Sequence, residues 1–494
     1  MNTRLIRIHP SDSVAVALAD LNAGDTVDCG DIEVKLADDI PFGHKVALKH
    51  IAENEDIVKY GYPIGHACAD IEPGAWVHVH NLRTNLSDII NYTYEPAESP
   101  LPKREMTFDG YVRPDGSVGT RNEIWIIPTV GCVNNTATLL AREASKRFAG
   151  RTDGIFAYTH NMGCSQLGDD QERTMHLISG LIRNPNAGGV LVLSLGCENN
   201  NLGVFKPILG EVDPKRVKFL VTQDVDNEYG AALEMLEELV EYAETFKRTP
   251  VSASKLTVGF KCGGSDAFSG ITANALCGRI NDVLCSSGAS TILTEVPEMF
   301  GAETILMNRA VSREVFDSTV TLINDFKHYY ERYNQTIYEN PSPGNKKGGI
   351  STLEEKSLGC IQKGGKAPVV GVLSYGQQPR EGGLHLLNGP GNDQISCTNL
   401  VASGATMVLF TTGRGNPMGT PVPTVKVASN NRLAQHKDGW IDFSAGDIIE
   451  GKSFDVLTDE FAEYLMNVAS GRIQTRNELN GYRDISIFRD GVIL

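Results

Sequence analysis

The sequence predicts a multidomain α/β protein: a small all-β domain at the N-terminus, an α/β middle domain, and a Rossmann-like C-terminal α/β domain built on a parallel sheet. Three observations carry this. Up to residue 95 the apolar pieces are strand-length and broken by glycine and charge. A polar stretch with Pro96, Pro100 and Pro102 follows and reads as a linker. From residue 122 onward, continuous apolar runs alternate with stretches of helical spacing, the signature of a parallel sheet covered on both faces. At 494 residues and 41% hydrophobic the chain is too long for one core, and it divides into 1–95, a linker 96–121, a middle domain 122–254 and a C-terminal domain 255–494.

In the first domain the strand candidates are 13–18, 31–36, 44–48, 56–60 and 74–80. In the middle domain they are 123–130, 154–160, 189–195 and 217–223, with helices over 134–148, 169–183 and 229–246. The C-terminal domain has strand candidates at 256–260, 290–295, 368–373, 406–411 and 422–427 and helices over 270–283, 313–333 and 455–469. Between these, the Gly/Pro-rich piece 339–349 is long enough to be a functional loop. The 50 glycines sit at the ends of apolar runs, as tight strand-to-loop turns require.

The formal net charge of -16 disfavours nucleic acid as a partner. It would also repel an anionic substrate, so a carboxylate site needs local Lys, Arg, N–H groups or a metal. Residues 1–10 lack the apolar core of a secretion signal, and no apolar run approaches membrane-spanning length. The ten cysteines are scattered without framework spacing and read as reduced thiols, so a cytoplasmic location is expected and no membrane partner.

Chemistry-bearing residues concentrate at strand ends. Four strands run into a cysteine flanked by glycine or a polar residue: Val130-Gly131-Cys132-Val133-Asn134, Asn161-Met162-Gly163-Cys164-Ser165-Gln166, Leu195-Gly196-Cys197-Glu198-Asn199 and Lys261-Cys262-Gly263-Gly264-Ser265-Asp266. Ligands of open parallel sheets bind beyond the carboxyl ends of the strands. One such cysteine is ordinarily a small residue fitted into a crowded turn. Four together point to a convergent polar site, with Cys132, Asn134, Cys164, Gln166, Cys197, Glu198, Asn199, Cys262, Ser265 and Asp266 as substrate-binding candidates. Three or four of these thiols could instead hold an iron–sulfur cluster or zinc. None is in a Cys-x-x-Cys pair and each lies on its own loop, so a mononuclear ion with oxygen and nitrogen ligands is the preferred reading.

Trp76-Val77-His78-Val79-His80-Asn81 places two imidazoles on one face of a strand, which suits a metal pair or a base beside a metal ligand, although a surface strand can carry two histidines without a role. His66 and His160 are further candidates, and His44 can be read equally as a candidate or as structural. In Thr294-Glu295-Val296-Pro297-Glu298, Glu295 ends a strand and Glu298 lies in the turn, both suited to a hard divalent ion, while Glu303 reads as a helix N-terminal charge. The loop Leu387-Asn388-Gly389-Pro390-Gly391-Asn392-Asp393 precedes a helix and offers N–H groups to an anion. Thr412-Gly413-Arg414-Gly415-Asn416-Pro417-Met418-Gly419 imitates a nucleotide fingerprint, but its last glycine is displaced and Pro417 interrupts it, so no nicotinamide cofactor is expected. Arg414, and Lys346 with Lys347, suit a substrate carboxylate.

Taken together, His78-Val79-His80-Asn81, Gly119-Thr120-Arg121-Asn122, the four cysteine loops, Thr294-Glu295-Val296-Pro297-Glu298 and Thr411-Thr412-Gly413-Arg414-Gly415 resemble the altronate/galactarate dehydratase family over nearly the whole chain. The run Tyr338-Glu339-Asn340-Pro341-Ser342-Pro343-Gly344-Asn345-Lys346 points to its altronate branch. Sulfolactate sulfo-lyase has a similar core with the N-terminal module on a separate subunit. The resemblance implies a β-clip (SAF) domain, a middle domain used in homodimerisation, and a Rossmann-like C-terminal domain with an unusual crossover. It implies a divalent metal, Fe(II) or Mn(II), and conversion of D-altronate to 2-dehydro-3-deoxy-D-gluconate plus water in hexuronate catabolism. Galactarate or another aldarate or aldonate, or C–S cleavage as in the sulfo-lyase, are the alternatives.

The proton at C2, beside an ionised carboxylate, is very weakly acidic, so its removal needs a positioned base and a cation on the developing enediolate. A divalent ion chelated by the carboxylate and the C2 hydroxyl would supply that cation. His78 or His80 is expected to transfer the proton or bind the metal, with Glu295 and Glu298 as further ligands, Asn81 and Lys346 beside the substrate and Arg414 on its carboxylate. Competing readings are a nicotinamide oxidoreductase, an iron–sulfur lyase and a non-catalytic sugar-acid sensor.

Overall fold

The protein is described by a computed structural model covering residues 4–30, 32–86, 91–97 and 100–494. Asp31, which opens one expected strand, and residues 98 and 99 of the expected linker lie outside the described residues.

The N-terminal region is all-β. Leu5–Ile6, Val14–Ala17, Lys45–Ala47 and Trp76–Val77 form an antiparallel four-stranded sheet in that order. Thr26–Asp28 pairs with Glu33–Lys35, and Asp56–Lys59, Tyr62–Ala67 and Leu82–Arg83 make a third sheet. One small core, around Leu5, Val27, Val34 and Val46, belongs to this region alone. Other members, including Ile57, Ile64, Val77 and Leu82, share a core with Phe260, Phe300 and Leu358 of the C-terminal region. The β-region is therefore fixed on the rest of the chain by apolar burial. At Gly65 a side chain would stand 2.1 Å from the Arg83 carbonyl, so only glycine lets those two strands meet.

The expected linker is structured in part. Thr107–Val112 and Val118–Gly119 form an antiparallel sheet with Arg248–Ser252, so the chain crosses between regions as a strand pair. Upstream, the Tyr92 and Tyr94 hydroxyls donate to Glu303 at 2.6 Å and to the Ala310 carbonyl at 2.7 Å, which straps this segment across the C-terminal region.

The middle region is a parallel sheet in the order Ile155–Ala157, Glu123–Pro128, Ala187–Ser194, Val217–Val221. Helices Asn134–Arg147 and Glu228–Glu244 cover one face and Gly168–Arg183 the other. The last of these lies against Asp393–Ala402 of the C-terminal region, where a Cβ at Gly180 would sit 2.2 Å from the Ala402 carbonyl.

The C-terminal sheet is seven-stranded and wholly parallel. Its order is Val369–Leu373, Gly383–Leu387, Ser290–Leu293, Thr257–Cys262, Met407–Thr412, Thr424–Ala428, Phe443–Ser444. Two of these strands were not expected: Gly383–Leu387, whose His385 interrupts the apolar run, and the two-residue Phe443–Ser444. The helix Leu353–Cys360 was also not expected, and all eight of its residues are buried.

Candidate active site

The sheet directs two neighbouring strand ends at one another. Thr257–Cys262 delivers Lys261 and Cys262, and Ser290–Leu293 leads into Glu295. Glu295 has φ 71°, a left-handed conformation uncommon outside glycine, and it caps the short turn Val296–Glu298. The turn brings both carboxylates back over the strand ends. Opposite them lie the helix Leu353–Cys360 and the turn Ile361–Gly364, which supply Lys356, Cys360 and Lys363.

The result is a buried cluster of alternating charge. Glu295 accepts from the Lys261 ammonium, from Lys363 Nζ at 3.1 Å and from the Cys262 amide at 3.1 Å. Lys261 also pairs with Asp393 at 2.9 Å. Glu298 pairs with Lys356 at 2.9 Å and accepts from the thiols of Cys262 at 3.2 Å and Cys360 at 3.0 Å. The two sulfur atoms are 3.4 Å apart. Burial pushes the Glu295 carboxyl up, against the pull of Lys261 and Lys363. Burial acts on Glu298 in the same sense, but Lys356, Lys261 and Lys363 outweigh it and hold that carboxyl well below the usual range. The Cys360 thiol is pushed up by its contact with Cys262 and by burial. A carboxyl held high beside one held low is an arrangement able to hold and pass a proton.

A second buried cluster joins the N-terminal β-region to the same helix. Glu355 accepts from Lys45 Nζ at 2.8 Å and from Lys59 Nζ at 2.7 Å, and Lys45 also donates to Ser351 Oγ at 2.8 Å. Ser351 Oγ is 2.9 Å from His78 Nδ1. One carboxylate neutralises only one ammonium, and burial with the repulsion of Lys59 pushes Lys45 down to about 8 even beside Glu355. Burial, then the charges of Lys45 and His44, pushes His78 down to about 4, so this imidazole is neutral near pH 7.

Between the β-region and the C-terminal sheet lies an open cleft of about 810 Å³, lined among others by Phe42, Asp266, Lys347, Arg414, Arg432 and His436. Its three cationic side chains reverse the acidic character of the chain locally, as an anionic ligand requires. Asp266, at the cleft floor, accepts from Ser269 and Ser429 at 2.9 Å and is pushed up by burial. Arg414 donates to the Gly344 carbonyl at 3.3 Å, joining the 412–419 loop to the 339–349 loop. Asn345 donates to the Ser265 carbonyl at 2.8 Å, and Lys347, not Lys346, lines the cleft.

The strand containing the two histidines ends at Val77, and His78 to Asn81 form a turn. Asn81 closes it, accepting from the His78 amide at 3.0 Å and donating to the Trp76 carbonyl at 2.9 Å. His78 stacks on Trp76 and is buried, whereas His80 is exposed. His44 accepts from the Trp76 indole at 3.2 Å, and His66 contacts Asn85 at 2.7 Å. Glu303 starts the helix Glu303–Met307 and is also paired with buried Lys327 at 3.1 Å.

Of the four cysteine loops, only that of Cys262 belongs to the C-terminal cluster. Cys132, Cys164 and Cys197 lie together on the middle sheet, and the polar residues around them brace the loops. Glu198 accepts from Thr129 at 2.7 Å and from the Gly196 amide at 2.6 Å. Gln166 accepts from the Gly163 amide at 2.8 Å, Asn199 from the Ser165 amide at 2.8 Å, and Asn134 donates to the His160 carbonyl at 2.7 Å.

Among the described residues, one group of three His, Cys, Asp or Glu brings its ligand atoms within 4.8 Å of one another: Cys262, Glu298 and Cys360. Glu298 is thus gathered with two thiols, and not with His78, His80 and Glu295. Three ammoniums (Lys261, Lys356, Lys363) face three carboxylates (Glu295, Glu298, Asp393), so ionising both thiols would leave two negative charges, matching one divalent ion. The donor set fits ferrous iron, and thiolates suit manganese poorly. Sequence reasoning missed Lys45, Lys59, Lys261, Lys356, Cys360, Lys363 and Asp393. The available signal was the run Glu354-Glu355-Lys356-Ser357-Leu358-Gly359-Cys360, charged and cysteine-bearing yet without proline.

Comparison with known proteins agrees with this layout. Residues 3–85 match the altronate/galactarate dehydratase SAF domain, 110–244 the D-galactarate dehydratase/altronate hydrolase second domain, and 253–493 the D-galactarate/altronate dehydratase C-terminal domain. The altronate dehydratase of Bacillus subtilis is 51% identical over 498 residues, covering 99% of both chains. The chain belongs to the altronate/galactarate dehydratase family. The family's galactarate dehydratase (L-threo-forming) from Escherichia coli is 34% identical, covering 98% of this chain and 96% of its own. The β subunit of (2R)-sulfolactate sulfo-lyase from Chromohalobacter salexigens is 30% identical over 389 residues, 78% of this chain and 97% of its own. None of the helices among the described residues is long and apolar enough to cross a membrane.

Proposed function

We propose that the protein dehydrates a sugar acid, converting D-altronate to 2-dehydro-3-deoxy-D-gluconate and water. The observation that carries this reading is the cationic cleft of Lys347, Arg414 and Arg432 beside the buried Lys261–Glu295–Lys363 cluster, in a chain about half identical over its length to a dehydratase of that substrate. Arg414 and Lys347 hold the substrate carboxylate, and Asp266 and Asn430 take its hydroxyl groups. A base removes the C2 proton, the C3 hydroxyl leaves as water after protonation, and the enol becomes a ketone. Lys261 and Glu295 are the proton-holding pair, with Asp393 linking Lys261 toward solvent. His80, exposed at the β-region, is a second proton-transfer candidate. A divalent ion held by Cys262, Glu298 and Cys360 would supply Lewis acidity, and Fe(II) suits those donors.

The test is a panel of aldonates and aldarates, including D-altronate and galactarate, incubated anaerobically with the protein and Fe(II), scoring 2-keto acid. D-altronate should give the highest kcat/KM. Absence of keto acid from every substrate would remove the reading, and preference for galactarate would move it to the other branch of the family.

A further inference from the structure

Three of the ten cysteines are exposed, and they are Cys132, Cys164 and Cys197. They are not scattered. The strands Ile155–Ala157, Glu123–Pro128 and Ala187–Ser194 are consecutive neighbours in one parallel sheet, and each thiol lies in the loop beyond the carboxyl end of one of them. Each is preceded by glycine: Gly131-Cys132, Gly163-Cys164, Gly196-Cys197.

The loops form one platform. The Gly131 amide donates to the Met162 carbonyl at 2.9 Å, and the Asn200 amide to the Gly163 carbonyl at 3.0 Å. Asn200 Nδ2 donates to the Thr129 carbonyl at 3.0 Å, and Glu198 ties Thr129 to the Cys197 loop. A Cβ on Gly163 would stand 2.0 Å from the Thr129 carbonyl, so glycine is what lets these loops touch. All of this bracing uses neighbouring side chains and backbone and leaves the thiols outward. Their contacts are weak: Cys164 to Ser165 Oγ at 3.7 Å and Cys197 to Gln223 at 3.6 Å. Each loop also leads into a helix, Asn134–Arg147, Gly168–Arg183 or Leu202–Leu209, whose positive end favours negative charge at the platform.

The three thiols are farther apart than a single ion would gather them, since among the described residues only Cys262, Glu298 and Cys360 bring three ligand atoms within 4.8 Å. Thiolates on adjacent loops are the usual ligands of a polynuclear iron–sulfur centre, which takes its protein ligands on separate iron atoms.

We propose that Cys132, Cys164 and Cys197 ligate a cuboidal iron–sulfur cluster on the middle sheet, leaving one iron without a protein thiolate and open to an oxygen of a hydroxy acid. Each thiol releases its proton on ligation, and the iron and sulfide come as ferrous ion and inorganic sulfide. The cluster is separate from the Cys262–Glu298–Cys360 group. Only the use of the open iron rests on the proposed dehydration.

The full chain is reconstituted anaerobically with ferrous iron, sulfide and a thiol reductant, desalted, and assayed for iron and acid-labile sulfide. The expected result is about four of each per chain with broad visible absorbance. Cys132→Ser, Cys164→Ser and Cys197→Ser should each lower labile sulfide severalfold, with unchanged far-UV circular dichroism because the thiols pack against little. Cys262→Ser and Cys360→Ser should retain it. Iron without labile sulfide in the parent chain, or sulfide lost only in the Cys262 and Cys360 variants, would overturn the proposal. These counts need no turnover, so they stand or fall independently of the substrate assay.

Discussion

Lys45 and Glu355 lie 310 positions apart in the chain and meet at 2.8 Å, with side chains 0% and 1% exposed. A charge pair sealed in this way joins the N-terminal β-region to the helix that carries Lys356 and Cys360. The β-region thus fixes part of the candidate site without contributing to its sheet.

Glu355→Gln leaves Lys45 and Lys59 facing one another in a buried space without a counter-charge. Breaking a buried pair in this way costs about 3–5 kcal/mol. Denaturant unfolding should show that loss, and limited proteolysis should cut the β-region free first. Unchanged unfolding midpoints would contradict the anchoring role.

Glu355 also predicts an acid limb. Burial raises its carboxyl, but Lys45 and Lys59 more than reverse this and hold it at about 2, below the ordinary 4.5. The unfolded chain binds the proton more readily, so this stabilisation is complete above pH 4.5 and is lost as pH falls toward 2. Stability measured against pH should be flatter across that window in Glu355→Gln than in the parent.

Lys426 predicts a second rise of stability with pH, in the alkaline range. Its ammonium is buried with no hydrogen-bond partner among the described residues and lies 3.4 Å from the centre of the Phe410 ring. Burial pushes it down from 10.5 to about 7. Between those values the unfolded chain binds more protons, so stability should rise with pH from 7 to 10.5. Lys426→Met should abolish the rise and stabilise the protein at pH 7 by on the order of 1–4 kcal/mol.

For Arg414→Ala the expected effect is mainly on substrate affinity, because the guanidinium is placed on the carboxylate and not at the reacting carbons. A lost charge-assisted hydrogen bond of about 1.5–3 kcal/mol corresponds to a KM increase on the order of tenfold to a hundredfold. A kcat collapse with unchanged KM would assign Arg414 elsewhere.

Lys261→Met removes the ammonium shared by Glu295 and Asp393, while Lys363 still pairs with Glu295. If the Lys261–Glu295 pair holds the transferred proton, kcat should fall by about 10²–10⁴ with KM little changed. Circular dichroism and the unfolding midpoint separate this from misfolding.

Much of the architecture was legible in the sequence. The apolar runs at 123–130 and 189–195 and the helical spacing of 313–333 appear as Glu123–Pro128, Ala187–Ser194 and Arg313–Arg332, because their periodicity is local. The glycine–cysteine strand ends were legible for the same reason. The helix Leu353–Cys360 was not: its charged residues signal solvent by local rules and are buried only because partners arrive from residues 45, 59, 84 and 298.

The sequence by itself determined the order of strands and helices and which loops would carry thiols and carboxylates, since backbone propensity and side-chain alternation act over a few residues. Only the tertiary structure decided that Cys262 meets Cys360 and Glu298, that the other three loop cysteines share a separate platform, and that six lysines are paired with carboxylates out of water. Those outcomes depend on Coulomb and desolvation energies between groups far apart in the chain, which no local pattern encodes.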